Sequence, residues 1–565
     1  MTTASPTTIG KQATAGARGG VSPWGRGFAW VENRLAALAE WANPILVKET
    51  RQALKSRQFL VTFLIVLIGC WVVSFVGVAM VGPQIYYAAA GPQMLVAYYT
   101  ILVIPLTLIV PFTAFRSLAA EQEENTFDLL SITTLGSRQI ITGKLLSALV
   151  QMIVYLSAVS PCIAFTFLLR GVDALTTAML LAIAVLASVG LSMTSLLVGA
   201  LARARNTQVV ISVALVLLLA GACYGIWGLG LAIIEEGSMI FRDSQFWVVA
   251  FGMLSLYVTT FGLIHAAAAA QIAFVSENRS TPLRRWMMAQ QACFCGWIAG
   301  LFYAVAETGG LWASSAIPSI MVVAITLAGA YWFGMGMMMT GEWPHLSRRV
   351  QRSLPSSTAG RAFLSLMNPG PGTGYLMAVA NLSALATAAL VMLSLQGSSA
   401  GQGSPSVETA VYYVILASSY VVAFLGFGRL IINALRRWAY VPMSAAFLIH
   451  VILVLSAIGV PTVIQMTSRE LRNSGYTLWQ MTNPVWTLSE LARRGTASVQ
   501  GEVLILILPA AALVALLLNM RSIATELLLQ RTAVPVRIIE EEAELHPAPA
   551  PKPTNPWDAD EPVSV

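Results

Sequence analysis

The chain has 565 residues, of which 57% are hydrophobic and only 10% are charged, and its formal net charge is +7. Soluble domains contain about 25% charged residues, so this composition excludes an ordinary soluble protein and predicts an all-α polytopic membrane protein. The basic residues cluster beside apolar runs, as in loops that face anionic lipid, so membrane lipid is an expected partner and nucleic acid is not.

The N-terminal segment, residues 1–58, is predicted to be a cytoplasmic tail with an interfacial amphipathic helix. Its first 27 residues contain no acidic residue and are rich in Gly, Ala, Thr and Ser, a composition typical of disorder. Between residues 28 and 41, Val31, Leu35 and Leu38 recur at helical spacing with charged residues between them. The alternative for this stretch is a short cytoplasmic core helix.

Twelve apolar runs follow, and none of them contains Asp, Glu, Lys or Arg. Each is long enough for a helix to cross the roughly 30 Å hydrocarbon core of a bilayer. Pro105 and Pro111 interrupt the second run, and we expect a neighbouring helix to satisfy the carbonyls that they free. The runs predict about 12 transmembrane helices at 59–81, 94–115, 145–169, 174–201, 207–234, 246–274, 287–306, 312–338, 373–396, 409–428, 439–466 and 503–520.

The basic residues predict the orientation of these helices. With the N-terminus in the cytoplasm, 27 of the 33 Lys and Arg residues fall in cytoplasmic segments and 6 in external ones. This bias predicts a multi-pass protein of the cytoplasmic (inner) membrane with both termini in the cytoplasm. The C-terminal tail, 531–565, has an acidic patch followed by a Pro-rich stretch and is predicted to be disordered.

The arrangement of connectors suggests two six-helix halves, 59–274 and 275–530. Each half has a long internal connector after its second span, at 116–144 and at 339–372. This similarity suggests a duplicated unit, although no residue-level repeat supports it. The external loop 467–502 contains several Trp and Leu residues near polar groups, which favours short interfacial helices, with a plain solvated loop as the alternative.

The connector Ser117–Lys144 has the most informative pattern of the chain. Acidic residues, including Glu121 and Asp128, precede or open an apolar stretch, Gly136 offers a helix stop, and basic residues follow. Acids at the start of a helix and bases at its end both favour the helix dipole. The pattern predicts a short amphipathic helix along the membrane surface, whose apolar side chains need a partner groove.

This connector resembles the signature region of the type-2 ATP-binding-cassette (ABC) transporter permease family. The resemblance also extends to the segment from Asn43 to Arg57 that precedes the first span, although Asn125 stands where the family usually has Gly. It implies that the connector is the coupling helix that docks on a separate ATPase subunit. The residues to which it assigns this ATPase coupling are Glu121, Glu124, Thr126, Phe127, Asp128, Leu129, Leu130, Arg138, Gly143 and Lys144.

The resemblance implies that the chain is the permease subunit of a bacterial ABC transporter, and we expect it to export a substrate. Its partners would be a cytoplasmic ABC ATPase subunit, membrane lipid and, unless the two halves form a whole pore, a second permease chain. The sequence from Gly136 to Lys144 has the wrong spacing for a P-loop, so we expect the ATPase activity in the partner and no enzyme activity here. No cofactor or metal site is predicted.

Two alternatives to the permease remain open at this point. An ion-coupled secondary transporter would need ionisable groups near the middle of the membrane, and the predicted spans contain none. A non-transport membrane scaffold would recruit partners to the two tails. The turn at Gly370-Pro371-Gly372 carries no functional assignment from the sequence.

Overall fold

The computed structural model gives the conformation of most of the chain and contains only helices and their connections in that part. The predicted amphipathic helix at 28–41 and the middle of the predicted coupling segment lie outside the described residues, so both stay predictions. The residues that the structure describes are 44–82, 89–123, 136–202, 205–274, 276–309, 316–343, 346–352, 357, 360, 364–395, 406–469, 471–472, 475–527 and 535–545.

The helices of these residues are numbered here in chain order. They are α1 Pro44–Leu54, α2 Arg57–Val81, α3 Gly91–Glu123, α4 Ser137–Leu168, α5 Ala174–Leu201, α6 Arg205–Glu236, α7 Ser244–Ile272, α8 Thr281–Gly309, α9 Ala316–Thr340, α10 Arg348–Arg352, α11 Pro371–Ser394, α12 Val407–Leu435, α13 Met443–Thr467, α14 Pro484–Arg494, α15 Gly501–Leu527 and α16 Val536–Leu545. All but α1, α10, α14 and α16 are long and apolar enough to cross a membrane, which confirms the predicted number of spans within the described part of the chain.

The outer surfaces of the spanning helices are apolar. On α2, the side chains of Leu64, Ile65, Ile68 and Phe75 are all more than half exposed, and Phe75 reaches 76%. A contiguous apolar surface of this kind would be unstable in water, whereas hydrocarbon solvates it. The chain is therefore a multi-pass membrane protein with the set of spans expected of a transporter.

The chain folds as two compact units, Met1–Asp243 and Ser244–Val565. They contain five and seven of the spans, so the division falls one span earlier than the sequence-based boundary at 274/275. The reason is that α7 packs on α8: the Trp297 indole donates a hydrogen bond to Ser255 at 2.9 Å, and Gly262 leaves room for Trp286. The proposed duplication stays a prediction.

In the first unit, α3 lies among the other spans and its tyrosines reach them. The Tyr98 hydroxyl lies 2.8 Å from the Ser74 hydroxyl on α2, and the Tyr99 hydroxyl donates to the Ile226 carbonyl on α6 at 3.0 Å. Both tyrosines are buried. A buried tyrosine needs a partner for its hydroxyl, so these bonds fix the neighbours of α3 as well as filling space.

Two prolines distort α3. Residues Pro105–Ile109 form a π-helical segment, in which the Val110 amide donates to the Pro105 carbonyl. The Thr107 hydroxyl donates to the Val103 carbonyl at 2.7 Å. Pro105 and Pro111 lack the amides that would otherwise bond the Ile101 and Thr107 carbonyls, and the expectation that a neighbouring helix satisfies these two carbonyls stays a prediction.

The loop 467–502, which is predicted to be external, contains the expected short helices. They are α14 and two 3-10 segments, Leu478–Thr482 and Thr496–Val499. The Asn483 side chain caps α14 by accepting from the Trp486 amide at 3.1 Å. The described residues of this loop form the predicted short helices, and their position at a membrane interface stays a prediction.

The C-terminal tail differs from its prediction over ten residues. Residues 536–545 form α16, which we predicted to be disordered, and Arg537 pairs with Glu541 at 3.0 Å one turn along it. The acidic composition that indicated disorder also suits a helix once a base lies four residues from an acid. Apart from Pro535, the rest of the predicted tail lies outside the described residues.

Asp173 caps the N-terminus of α5. Its carboxylate accepts hydrogen bonds from the Thr176 amide at 3.0 Å and from the Thr176 hydroxyl at 2.6 Å. Burial acts to raise the pKa of Asp173, but these hydrogen bonds outweigh it and hold the pKa below its ordinary value. The stabilisation by this carboxylate is therefore present above the unfolded-state pKa and is lost as the pH falls through the folded-state pKa.

We expect Asp173→Ala to lower the free energy of unfolding by about 1 kcal/mol at neutral pH, the usual contribution of a helix cap. The difference from wild type should shrink as the pH falls below the folded-state pKa of Asp173. Thermal unfolding in detergent over a pH series measures both effects, with Asp173→Asn as the control that keeps a neutral acceptor. A difference that is the same at all pH values would contradict this assignment.

Candidate coupling site

The site begins at α1, a short helix directly before the first span. It starts with Pro44, which suits the first helical position because its missing N–H would have no partner there. Ile45 and Glu49, four residues apart, are buried on one face, while Lys48 and Arg51 are exposed. The helix therefore turns one acidic side chain toward the neighbouring spans and its bases outward.

Lys144 is the centre of the site. Its side chain is 0% exposed, and its Nζ lies 3.0 Å from Glu121 Oε2 and 3.1 Å from Glu49 Oε1. Nζ also donates a hydrogen bond to the Ser117 carbonyl at 3.1 Å. Lys48, which is largely exposed, adds a longer contact of 3.6 Å to Glu121. We call Glu49, Glu121 and Lys144 the Lys144 cluster.

The Lys144 cluster joins three helices that are distant in sequence. Glu49 lies on α1, Glu121 at the end of α3 and Lys144 in the second turn of α4. The α3 helix contains 33 residues, which at about 1.5 Å per residue is about 50 Å and exceeds the roughly 30 Å hydrocarbon thickness. Its final turns can therefore extend past the hydrocarbon, and the cluster holds together the two helix ends that flank residues 124–135.

Some predicted coupling residues lie where the structure can place them. Glu121 and Lys144 are in contact, Gly143 is buried beside Lys144, and Arg138 is exposed in the first turn of α4. The remaining predicted coupling residues, which lie outside the described part of the chain, are Glu124, Thr126, Phe127, Asp128, Leu129 and Leu130.

Gly136 was predicted to end a short helix, with Arg138 and Lys144 following it. The residues before Gly136 lie outside the described part of the chain, so that helix stop stays a prediction. On its other side Gly136 is the N-cap of α4, and its amide donates to the Gln139 side chain at 3.1 Å. Both bases belong to the spanning helix α4, which begins eight residues before the predicted run. The predicted run was limited by the charged residues, where local hydropathy falls, whereas the hydrogen bonds of the helix continue through them.

Glu49 was not among the predicted coupling residues. A signal for it existed in the sequence, since a lysine so close to an apolar run needs an acidic partner. Glu49 lies in the segment before the first span, and this segment was compared with the permease family for its sequence pattern rather than for an ion pair. Local patterns could not pair the two, because Glu49 and Lys144 are 95 residues apart.

The second unit contains a separate ionic cluster at the start of α11. Arg284 Nη2 lies 2.7 Å from Glu342 Oε2, and Arg429 Nη2 lies 3.1 Å from Glu526 Oε1. Both arginine side chains are fully buried. We call these four residues, together with the turn Gly370–Thr373 that they surround, the α11 cap cluster.

The carboxylates of the α11 cap cluster bind the free amides of the helix start. The Gly370 amide donates to Glu342 at 2.7 Å. The Gly372 and Thr373 amides donate to Glu526 at 2.7 and 3.1 Å. The first amides of a helix have no partner within it, and a negative charge there also favours the helix dipole.

The glycines of this turn leave room for the charges. A Cβ on Gly372 would lie 2.7 Å from Arg429 Nη2 and from both carboxylate oxygens of Glu526. Gly370 has φ +153°, a conformation that other residues rarely adopt. The two glycines of the turn Gly370-Pro371-Gly372, which had no assignment, are thus required by the close packing of Glu526 and Arg429 around this helix end.

Buried ion pairs of this kind hold helix ends in place. Removing one partner leaves an uncompensated charge, which costs about 3–5 kcal/mol, so each cluster strongly favours one arrangement of its helices. In each unit, the cluster joins segments that flank a long connector, 124–135 in the first and 343–369 in the second. Comparison of the chain with family models, with curated proteins and with solved structures returned no match.

Proposed function

We propose that the chain is the permease subunit of an ABC transporter, which exports a substrate with energy from a separate ATPase. The observation that carries the proposal is the Lys144 cluster. Glu121 and Lys144 belong to the pattern that resembles the family's coupling region, and their side chains are 3.0 Å apart at the two ends of the segment that would dock. The resemblance assigns docking to residues 124–135, and the ion pair between the two helix ends that flank these residues supports the same assignment.

Through the Lys144 cluster, a movement of this segment can be transmitted to several spans. A force on residues 124–135 reaches α3 and α4 directly, since the segment connects them. It reaches α1 through Glu49, and α2 follows α1 after two residues. Closure of an ATPase on ATP would bias an equilibrium between two arrangements of these helices.

The experiment that tests this proposal alters the apolar residues of the docking segment. We expect Phe127→Asp with Leu130→Asp to reduce capture of the ATPase at least tenfold, because two carboxylates would replace side chains that a groove must bury. Co-purification of a P-loop ATPase from the native membrane, followed by ATPase assay of the complex, measures the effect.

The matched control places the same two charges on the C-terminal helix. Val536 and Leu545 are 68% and 76% exposed on α16, so Val536→Asp with Leu545→Asp should leave ATPase capture unchanged. Capture that survives the first pair of substitutions would contradict the docking role. Loss of partners only with the second pair would favour the scaffold that recruits through its tail.

The ion-coupled transporter remains the alternative, and the described charges do not favour it. Arg429 lies about two turns from the end of α12, and Glu526 is the penultimate residue of α15. An ion-coupled carrier requires ionisable side chains near the middle of the bilayer. Transport that survives ATP depletion and collapses with the ion gradient would favour it over the ABC permease.

A further inference from the structure

An open groove lies along the exposed side of α1. Its volume of about 640 Å³ is within the range of small-ligand sites, about 300–1,000 Å³. Neither the Lys144 cluster nor the proposed docking segment accounts for it. Its lining residues are Pro44, Val47, Lys48, Arg51, Gln52 and Lys55.

The groove is positively charged. Lys48, Arg51 and Lys55 are three and four residues apart, so they share one face of α1, opposite the buried Glu49. Lys48 has a contact of 3.6 Å with Glu121. Among the described residues, no carboxylate forms an ion pair with Arg51 or Lys55, which leaves two cations available to an anionic ligand.

An apolar surface begins directly beyond the groove. Lys55 is two residues before α2, whose start is capped by the Ser56 hydroxyl accepting from the Phe59 amide at 3.2 Å. From Leu60 onward the lipid-facing side of α2 is apolar and exposed, through Val61 to Ile68. Leu60 is about one helical turn along α2, a rise of about 5 Å from its start, so cationic and apolar surfaces are adjacent.

We propose that the α1 groove binds the phosphate headgroup of an anionic phospholipid, whose acyl chains lie against the exposed face of α2. Phosphate alone would satisfy Arg51 and Lys55, since Arg and Lys are the usual phosphate ligands. The adjacent apolar face identifies a lipid as the source of that phosphate, because only a lipid uses both surfaces. The proposal does not depend on the ABC function.

The test measures retention of defined lipids by the purified full-length protein. Native mass spectrometry in detergent is performed with added phosphatidylglycerol, with added phosphatidylcholine and with phosphatidylglycerol in excess inorganic phosphate. The variant Arg51→Gln with Lys55→Gln removes both available cations. The matched control, Arg348→Gln with Arg349→Gln, removes two exposed cations of α10 that do not line the groove.

We expect wild type and control to retain phosphatidylglycerol in preference to phosphatidylcholine. The groove variant should bind phosphatidylglycerol about 30-fold more weakly, because each basic residue near a membrane contributes about 1 kcal/mol and a tenfold change in affinity corresponds to 1.4 kcal/mol. Equal retention by the groove variant and wild type would overturn the proposal. Displacement by inorganic phosphate at millimolar concentration would also overturn it, since the groove would then bind soluble phosphate.

Discussion

Lys144→Met should destabilise the protein by about 3–5 kcal/mol, because the substitution leaves the carboxylates of Glu49 and Glu121 buried without their shared cation. The two carboxylates would also repel each other. Methionine fills a similar volume, so the loss of stability would reflect the missing charge rather than a cavity. Thermal unfolding of the purified protein in detergent measures the effect.

Lys48→Met is the matched control, since it removes the same side chain from the same neighbourhood. The Lys48 side chain is 59% exposed and its contact to Glu121 is 3.6 Å, so the expected loss is below about 1 kcal/mol. A second control combines Lys144→Met with Glu49→Gln and Glu121→Gln, which should recover most of the stability. If Lys144→Met were no more destabilising than Lys48→Met, the Lys144 cluster would not hold the helix ends together.

Arg429→Met should have an effect of similar size in the second unit, about 3–5 kcal/mol. The guanidinium donates to Asn519 Oδ1 at 2.8 Å and to Ser522 Oγ at 2.9 Å, besides pairing with Glu526. Without it, Glu526 loses its ion pair and keeps its hydrogen bonds to the Gly372 and Thr373 amides at the start of α11. The same unfolding measurement applies, and substrate transport should fall with it if this helix end takes part in the conformational change.

The control for this variant is Arg437→Met, eight residues further along the chain. Arg437 is exposed and lies just after α12, so the expected change is within about 0.5 kcal/mol, as for most surface substitutions. A result in which both variants unfold alike would show that the α11 cap cluster contributes nothing beyond an ordinary surface charge.

The sequence was sufficient for the number and kind of spans. Hydropathy is a local property, so each apolar run could be assessed by itself, and the count of twelve is confirmed for the residues that the structure describes. The ends were less accurate: the tenth run was predicted to stop at residue 428, before Arg429, whereas α12 continues to Leu435. A single charge near a membrane surface does not interrupt helical hydrogen bonds when a partner compensates it.

The candidate sites were harder to predict because their partners are far apart in sequence. Glu121 and Lys144 were both predicted, but as members of one local pattern rather than as an ion pair. Glu526 contacts Gly372 across 154 residues, a pairing that no local pattern contains. The sequence did contain one indication: a basic or acidic residue at the edge of an apolar run requires a counter-ion if its side chain is buried.

The π-helical segment of α3 gives this helix two parts that need not move alike. Where the turns widen at Pro105–Ile109, the regular ladder of backbone bonds is broken, and such places are where helices bend most easily. A displacement applied at Glu121 would then tilt the C-terminal part of α3 about this segment, rather than shift the whole helix along its axis. The N-terminal part, bound through Tyr98 and Tyr99, would keep its position beside α2 and α6.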